Sequence, residues 1–243
     1  MTGPALALST VEFAVVWRAG SYGALPLVID VPSPGATPAE RAELERRVWT
    51  DLEHRDLADD HGHPHWRLSD LLTVIAHRRT SLQLRTFGRD ARNAILATRG
   101  RATVLAELDD AVRLRRAPET GRASTILSLL PPERPGAGYS VSVPTATFTE
   151  AAQAPDPLPV LHRAGLPPDD ARTLLAMTTG TIRVTQLTAE HHHRDGHVTR
   201  SPVLAIHDTL AGRYRTIQTD DHLTVTPATP NALHAAVEQL HPV

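Results

Sequence analysis

The residues best placed to do chemistry in this chain are histidines, and two groups of them are closely spaced. His61, His63 and His65 alternate within Asp59-Asp60-His61-Gly62-His63-Pro64-His65. His191-His192-His193 run together, with Asp195 and His197 close behind. Neutral imidazole is a good zinc ligand, and three such groups around an ion with one open position activate water. A metal-dependent hydrolase is therefore one reading of the sequence. Against it, no His-Glu-x-x-His helix occurs, Pro64 interrupts the first group, and adjacent loop histidines cannot all converge on one ion. Solvated loop histidines are the preferred reading, with metal binding by His191, His192 and His193 left open.

Other routes to catalysis are sparser still. Gly138-Tyr139-Ser140 lacks the second glycine of a nucleophile elbow. Gly136-Ala137-Gly138 is a glycine pair among prolines, not a dinucleotide fingerprint after a strand. His207-Asp208 has the residue types of a dyad, but no nucleophile pairs with it. Cysteine is absent, and all 25 Lys+Arg residues are arginine. That composition excludes disulfides, thiolate sites, a P-loop lysine and Schiff-base chemistry. No cofactor is expected, and the chain is not read as an enzyme.

Composition limits partners as well. The formal net charge of −2 attracts neither nucleic acid nor an anionic membrane. Small basic groups (His77-Arg78-Arg79; Arg113, Arg115 and Arg116) lack interleaved aromatics, so they read as solvated faces. No apolar stretch approaches the ~20 residues of a membrane span, and the first nine residues lack a signal-peptide pattern. The cytoplasm is the expected compartment.

The elements that would position these residues form a repeat. Residues 109–131 match 220–242 at an offset of 111 (220 − 109), placing Asp109-Asp110 on Asp220-Asp221 and Val112 and Leu114 on Leu223 and Val225. Residues 92–108 run onto 203–219 at the same offset. Further upstream the offset is 100 (171 − 71), so the second copy holds eleven extra residues (111 − 100) between Leu187 and Val203. The histidine run lies there, in what reads as an exposed loop. The pattern predicts a duplicated helix–four-strand–helix unit, with halves at 1–132 and 133–243.

Local signals fill in each copy. Ser9-Thr10-Val11-Glu12 and Thr37-Pro38-Ala39-Glu40 have capping-box form. Apolar spacing predicts a helix over 66–77, and a further one over 119–130. Strands are expected at 81–87, 92–98, 102–108 and 111–115, joined by tight polar turns that favour antiparallel hairpins. A second set is expected at 181–187, 203–207, 213–218 and 223–226, before a last helix at 230–240. The run 25–31, bounded by Pro26 and Pro32, reads as an edge strand, and 131–138 as a linker.

Several of these stretches together resemble a known family. They are the tryptophan-bearing N-terminal helix, Leu25-Pro26-Leu27, Thr37-Pro38-Ala39-Glu40-Arg41-Ala42, Tyr139-Ser140-Val141-Ser142-Val143-Pro144 and Val225-Thr226-Pro227-Ala228-Thr229-Pro230. In order and spacing the chain resembles the EspG family of type VII (ESX) secretion-associated proteins of actinobacteria. The resemblance implies an α+β fold with quasi-two-fold symmetry: a central antiparallel β-sheet flanked by N- and C-terminal helical subdomains. It also implies a cytosolic chaperone that holds the apolar tip of a PE–PPE-like helical heterodimer, or another helical-hairpin secretion substrate, soluble for export. By that analogy the partner-binding residues are Gly88, Arg89 and Asp90, with Leu158, Val160, Leu161 and Leu166. A homodimer is left open, and a toxin-neutralising interaction module is the alternative among binding proteins.

Overall fold

The computed structural model describes residues 5–219 and 221–240. Asp220 and Pro242 of the second repeat, and the first four residues of the N-terminal segment, lie outside them. The chain divides into two compact units. The first comprises Met1–Gln83, Arg92–Arg122 and His191–His197; the second comprises Leu84–Ala91, Ala123–Glu190 and Val198–Val243.

In the first unit, strand β1 (Leu6–Ser9) leads directly into helix α1 (Thr10–Ala19), followed by α2 (Pro38–His54) and α3 (Trp66–Ala76). Strands β2 (Thr80–Gly88), β3 (Arg92–Arg99), β4 (Ala102–Leu108) and β5 (Ala111–Ala117) come next, then the short helix α4 (Arg122–Leu127); β2 from Leu84 onward and α4 from Ala123 onward are counted with the second unit. The sheet runs β1-β5-β4-β3-β2, with β1, β5, β4 and β3 antiparallel. Both capping boxes form. Ser9 N–H donates to Glu12 at 2.6 Å, and Glu12 N–H donates back to the Ser9 hydroxyl. Thr37 and Glu40 make the same pair of bonds at α2. Phe13 and Trp17, one turn apart, stack at 5.6 Å. Together with Leu52, Leu68, Leu72 and Ile75 from the helices and Ile95, Val104 and Val112 from the sheet they make the core.

The second unit follows the same plan. Strand β6 (Val141–Pro144) leads directly into α5 (Thr145–Gln153), then α6 (Leu158–Arg163) and α7 (Pro168–Thr178). Strands β7 (Thr181–His192), β8 (Val198–Arg200), β9 (Leu204–Thr209), β10 (Gly212–Thr219) and β11 (His222–Pro227) precede α8 (Pro230–Glu238). The order is β7-β9-β10-β11-β6, with β8 beside β7, and the β9, β10, β11 and β6 pairings are antiparallel. An α+β fold of antiparallel sheet with packed helices is thus what the sequence pattern implied, built from two like units.

The duplication reaches further upstream than the sequence shows. Leu8 pairs with Val112 and Leu6 with Leu114, while Val143 pairs with Leu223 and Val141 with Val225. Since Val112 and Leu114 match Leu223 and Val225, each copy begins with an edge strand in the same register. That strand in the first copy is β1, not the apolar run 25–31. The run forms turns instead, with Ile29 N–H bonded to Pro26 O at 2.8 Å, and it buries Val28, Ile29 and Val31 in the first core. Its prolines withhold ladder donors, so it covers the core as a loop.

Three further expectations change. The hairpins close at Arg99↔Ala102 and Thr209↔Gly212, a spacing of 110 (209 − 99), so the gapless match of 92–108 is shifted by one residue. The helix at 119–130 shortens to α4. The eleven-residue insertion is no loose loop: it extends β7 to His192, turns, and returns as β8.

The proposed linker is also tightly docked inside the second unit. Arg213 N–H donates to Arg134 O at 2.8 Å, Gly136 N–H to Arg213 O at 3.0 Å, and the Tyr214 hydroxyl to Ala137 O at 3.0 Å. A side-chain carbon at Gly136 would lie 1.9 Å from the Tyr214 ring. Gly136→Ala is therefore expected to lower unfolding stability in urea by about 1–3 kcal/mol through overpacking. Tyr214→Leu in the same chain should return part of that loss, because the two positions share one space.

Candidate functional site

The histidine groups are held by backbone turns. Asp59 Oδ1 accepts from His61 N–H at 3.0 Å and His63 N–H at 2.8 Å. The His63 hydrogen bond, opposed by burial, keeps the Asp59 carboxyl below its usual value. His65 instead caps α3, its ring nitrogen accepting from Arg67 N–H at 3.3 Å. At the β7–β8 tip, His191 and His193 stack at 4.5 Å with near-parallel rings, and His193 N–H donates to His197 O at 2.8 Å. Asp195 accepts from His197 N–H, which lowers its carboxyl despite burial. Among the described residues, no three His, Cys, Asp or Glu side chains gather in a way that could hold a metal ion.

His207 and Asp208 belong to a different device from a catalytic dyad. Asp208 is 2% exposed and is gripped by two guanidinium groups. Arg213 Nε donates to Oδ1 at 2.6 Å and its Nη2 to Oδ2 at 3.0 Å, while Arg183 Nη1 donates to Oδ2 at 2.8 Å. Burial alone would raise the carboxyl. The hydrogen bonds and charges of Arg213 and Arg183 outweigh it and hold Asp208 below the ordinary carboxylate value. The neighbouring His207 imidazole is pushed down by burial, with Asp208 opposing.

Arg183 is what the sequence reading missed. Its neighbours Ile182 and Val184 carry the apolar signal of β7, yet they are half-buried while Arg183 and Thr185 point inward. Regular pairing with β9 from there on, Arg183 opposite Asp208 and Thr185 opposite Ile206, puts both on the buried face, just past a register shift between Thr181 and Arg183. No hydrophobicity pattern reveals an arginine on the buried face. The single sequence cue was Asp208 followed five residues on by Arg213, across a tight hairpin.

From Asp208 the network reaches the turn after β2. Arg183 Nε donates to Arg89 O at 3.0 Å, and its Nη2 to Asp90 Oδ2 at 2.8 Å. Gly88, Arg89 and Asp90 are exposed, and Phe87 beside them keeps 45% of its surface in solvent. The residues expected after the docked segment sit differently. Val160 and Leu161 are buried in the second core and fix α6 in place, whereas Leu158 and Leu166 are half-buried at its margin.

These features define a duplicated α+β scaffold presenting a fixed polar turn beside an exposed aromatic. The EspG family model matches residues 9–239, and the chain belongs to the EspG family. Among solved structures it is similar to the Mycobacterium tuberculosis type VII secretion system chaperone EspG5, determined in complex with a PE25-PPE41 dimer. The TM-score is 0.76 at 15% identity, over 98% of this chain and 95% of that one. No curated protein matches the sequence.

Asp208→Asn is expected to cost about 3–5 kcal/mol, because it leaves two buried guanidinium groups without their carboxylate. In the wild-type chain the Asp208 contribution is complete above the unfolded carboxyl value of about 4. It is lost as pH falls through the lower folded value. Urea unfolding followed from neutral pH into acid should show this limb in the wild type and a flatter one in the variant.

Proposed function

We propose that this chain is a cytosolic type VII secretion chaperone that binds a PE–PPE-like helical pair and keeps it soluble for export, without catalysing a reaction. Family membership along nearly the whole chain carries this reading. The site supports it in two ways. Asp208, the acid next to the half-buried His207, is committed to two arginines and cannot orient that imidazole as a base. The exposed Phe87 and Arg89 are residue types that anchor protein interfaces.

The contact surface proposed is the turn Gly88, Arg89 and Asp90 together with the α6 margin. There Leu158 and Leu166 would touch the partner, and Val160 and Leu161 would hold the helix that presents them. An apolar helical tip set against such a patch, with polar groups at the rim, removes hydrophobic surface from water while leaving the complex soluble. Among the described residues no helix is long and apolar enough to cross a membrane, and nothing in the proposal needs one.

The test is co-expression with PE–PPE-like helical pairs encoded beside the gene. A stoichiometric complex should co-purify, and the pair should move from the insoluble to the soluble fraction. If no neighbouring pair gains solubility or co-purifies, the reading fails.

A further inference from the structure

The Arg183 guanidinium is in excess of what the buried carboxylate needs. Arg213 already meets both oxygens of Asp208, so that pair is complete by itself. Arg183, 6% exposed at its side chain, adds a second positive charge, and the fourth member balancing it is Asp90, 68% exposed. The fork thus has one inner arm on Asp208 and two outer arms on the turn, at Arg89 O and Asp90. A third bond runs from Arg89 N–H to Ile182 O at 3.1 Å. Between these bonds the backbone takes two left-handed residues, Gly88 at φ +87° and Asp90 at φ +54°. A side-chain carbon at Gly88 would sit 2.6 Å from Ile182 O.

Hairpin turns ordinarily close with glycine or asparagine alone. With Asp208 already bonded at both oxygens by Arg213, the two outer arms of Arg183 order the turn and not the core, and a positive-φ backbone that surrounding bonds enforce is a mark of a preset site. We propose that Arg183 is a positioning residue that fixes the turn of Gly88, Arg89 and Asp90, with Phe87, in one binding-ready geometry. This rests on the reading of that turn as partner-facing. The ordering entropy of the turn is then met on folding, not on association.

Three variants test it. Arg183→Met leaves the Asp208–Arg213 pair intact, so no buried carboxylate is stranded. Asp90→Ala removes only an exposed side chain. In the protein alone, amide hydrogen exchange at Arg89, Asp90 and Ala91 should quicken about tenfold or more in both, as fixed residues regain freedom. The amides of β9 and β10 should be unaffected. Affinity for the helical pair recovered with the wild-type chain should fall about tenfold in both. The melting temperature of Asp90→Ala should fall far less than that of Asp208→Asn, because the Asp208–Arg213 pair is kept, so a large loss of affinity beside a small loss of stability marks a positioning role. Arg183→Lys, keeping charge without the fork, should recover less than half of the lost binding energy.

Unchanged exchange in Arg183→Met overturns the positioning role, whatever the chain binds. Faster exchange with unaltered affinity overturns the claim that the fixed turn serves binding. Failure of the wild-type chain to recover any pair defeats the functional reading and the binding half of the proposal with it. The exchange result still decides whether Arg183 sets the turn.

Discussion

Asp208 is the carboxylate on which the order of the second unit depends. Through it and its two arginines, β7, β9, β10, the docked segment at Pro131 and the turn at Arg89 and Asp90 are joined by hydrogen bonds of 2.6 to 3.0 Å. Ions taken out of water are stabilised only when every partner is in place. The network is therefore conditional: strands paired in another register would leave charges buried and unmatched. Apolar residues of similar volume would pack as well, but they would accept many arrangements. Restricting the unit to one is what this cluster adds.

The first unit shows what stood at the equivalent place without that demand. With hairpins aligned at their closing pairs, Asp208 and Arg213 correspond to Thr98 and Thr103. Those two threonines face each other across β3 and β4 with hydroxyls 3.3 Å apart. One copy thus has a neutral hydroxyl pair and the other an ion pair at the same cross-strand position. The backbone plan is shared and the chemistry on it has diverged. The compact unit that holds the ion pair also takes in segment 84–91, which bears the fixed turn although it comes from the first copy of the repeat. An edge strand in matching register opens both copies, so the duplication governs the ladder while leaving the buried side chains free to specialise.

What could be read from the sequence follows from how local each signal is. Both capping boxes, the proline starts of α2 and α8, and the four-strand order of each copy were legible, because each is set within a few residues. Strand β1 was not. It has four residues and no punctuation, and only its partner β5, over a hundred positions away, makes it a strand. The run 25–31 failed for the opposite reason, since a short apolar segment between prolines satisfies a strand pattern and a buried covering loop equally. The alignment of 92–108 slipped by one because β3 buries residues of both parities, so the hydrophobic pattern does not report register there. Of the site, the position of the turn was available through family resemblance. Its anchor was not, because a buried arginine announces itself only through partners distant in the chain. Val160 and Leu161 were legible as apolar, but whether an apolar residue on a short helix faces core or partner is decided by packing alone.

The absence of lysine takes on meaning at Arg183. An ammonium is a compact point charge whose three donors cannot lie in one plane, whereas a guanidinium spreads five donors over a rigid fork. Arg183 uses that plane in three directions at once: inward to Asp208, sideways to a carbonyl, outward to Asp90. Lysine could neutralise the charge but could not set the distance between Arg89 and Asp90. The position therefore asks for arginine on geometric grounds, independent of whatever bias removed lysine elsewhere. It follows that the turn's shape is written on β7, one strand away from the residues that display it. Substitutions on the exposed turn can then alter what is presented, at Phe87 or Arg89, while the backbone presenting it stays fixed from below. That separation lets the displayed side chains diverge without loosening the surface that carries them.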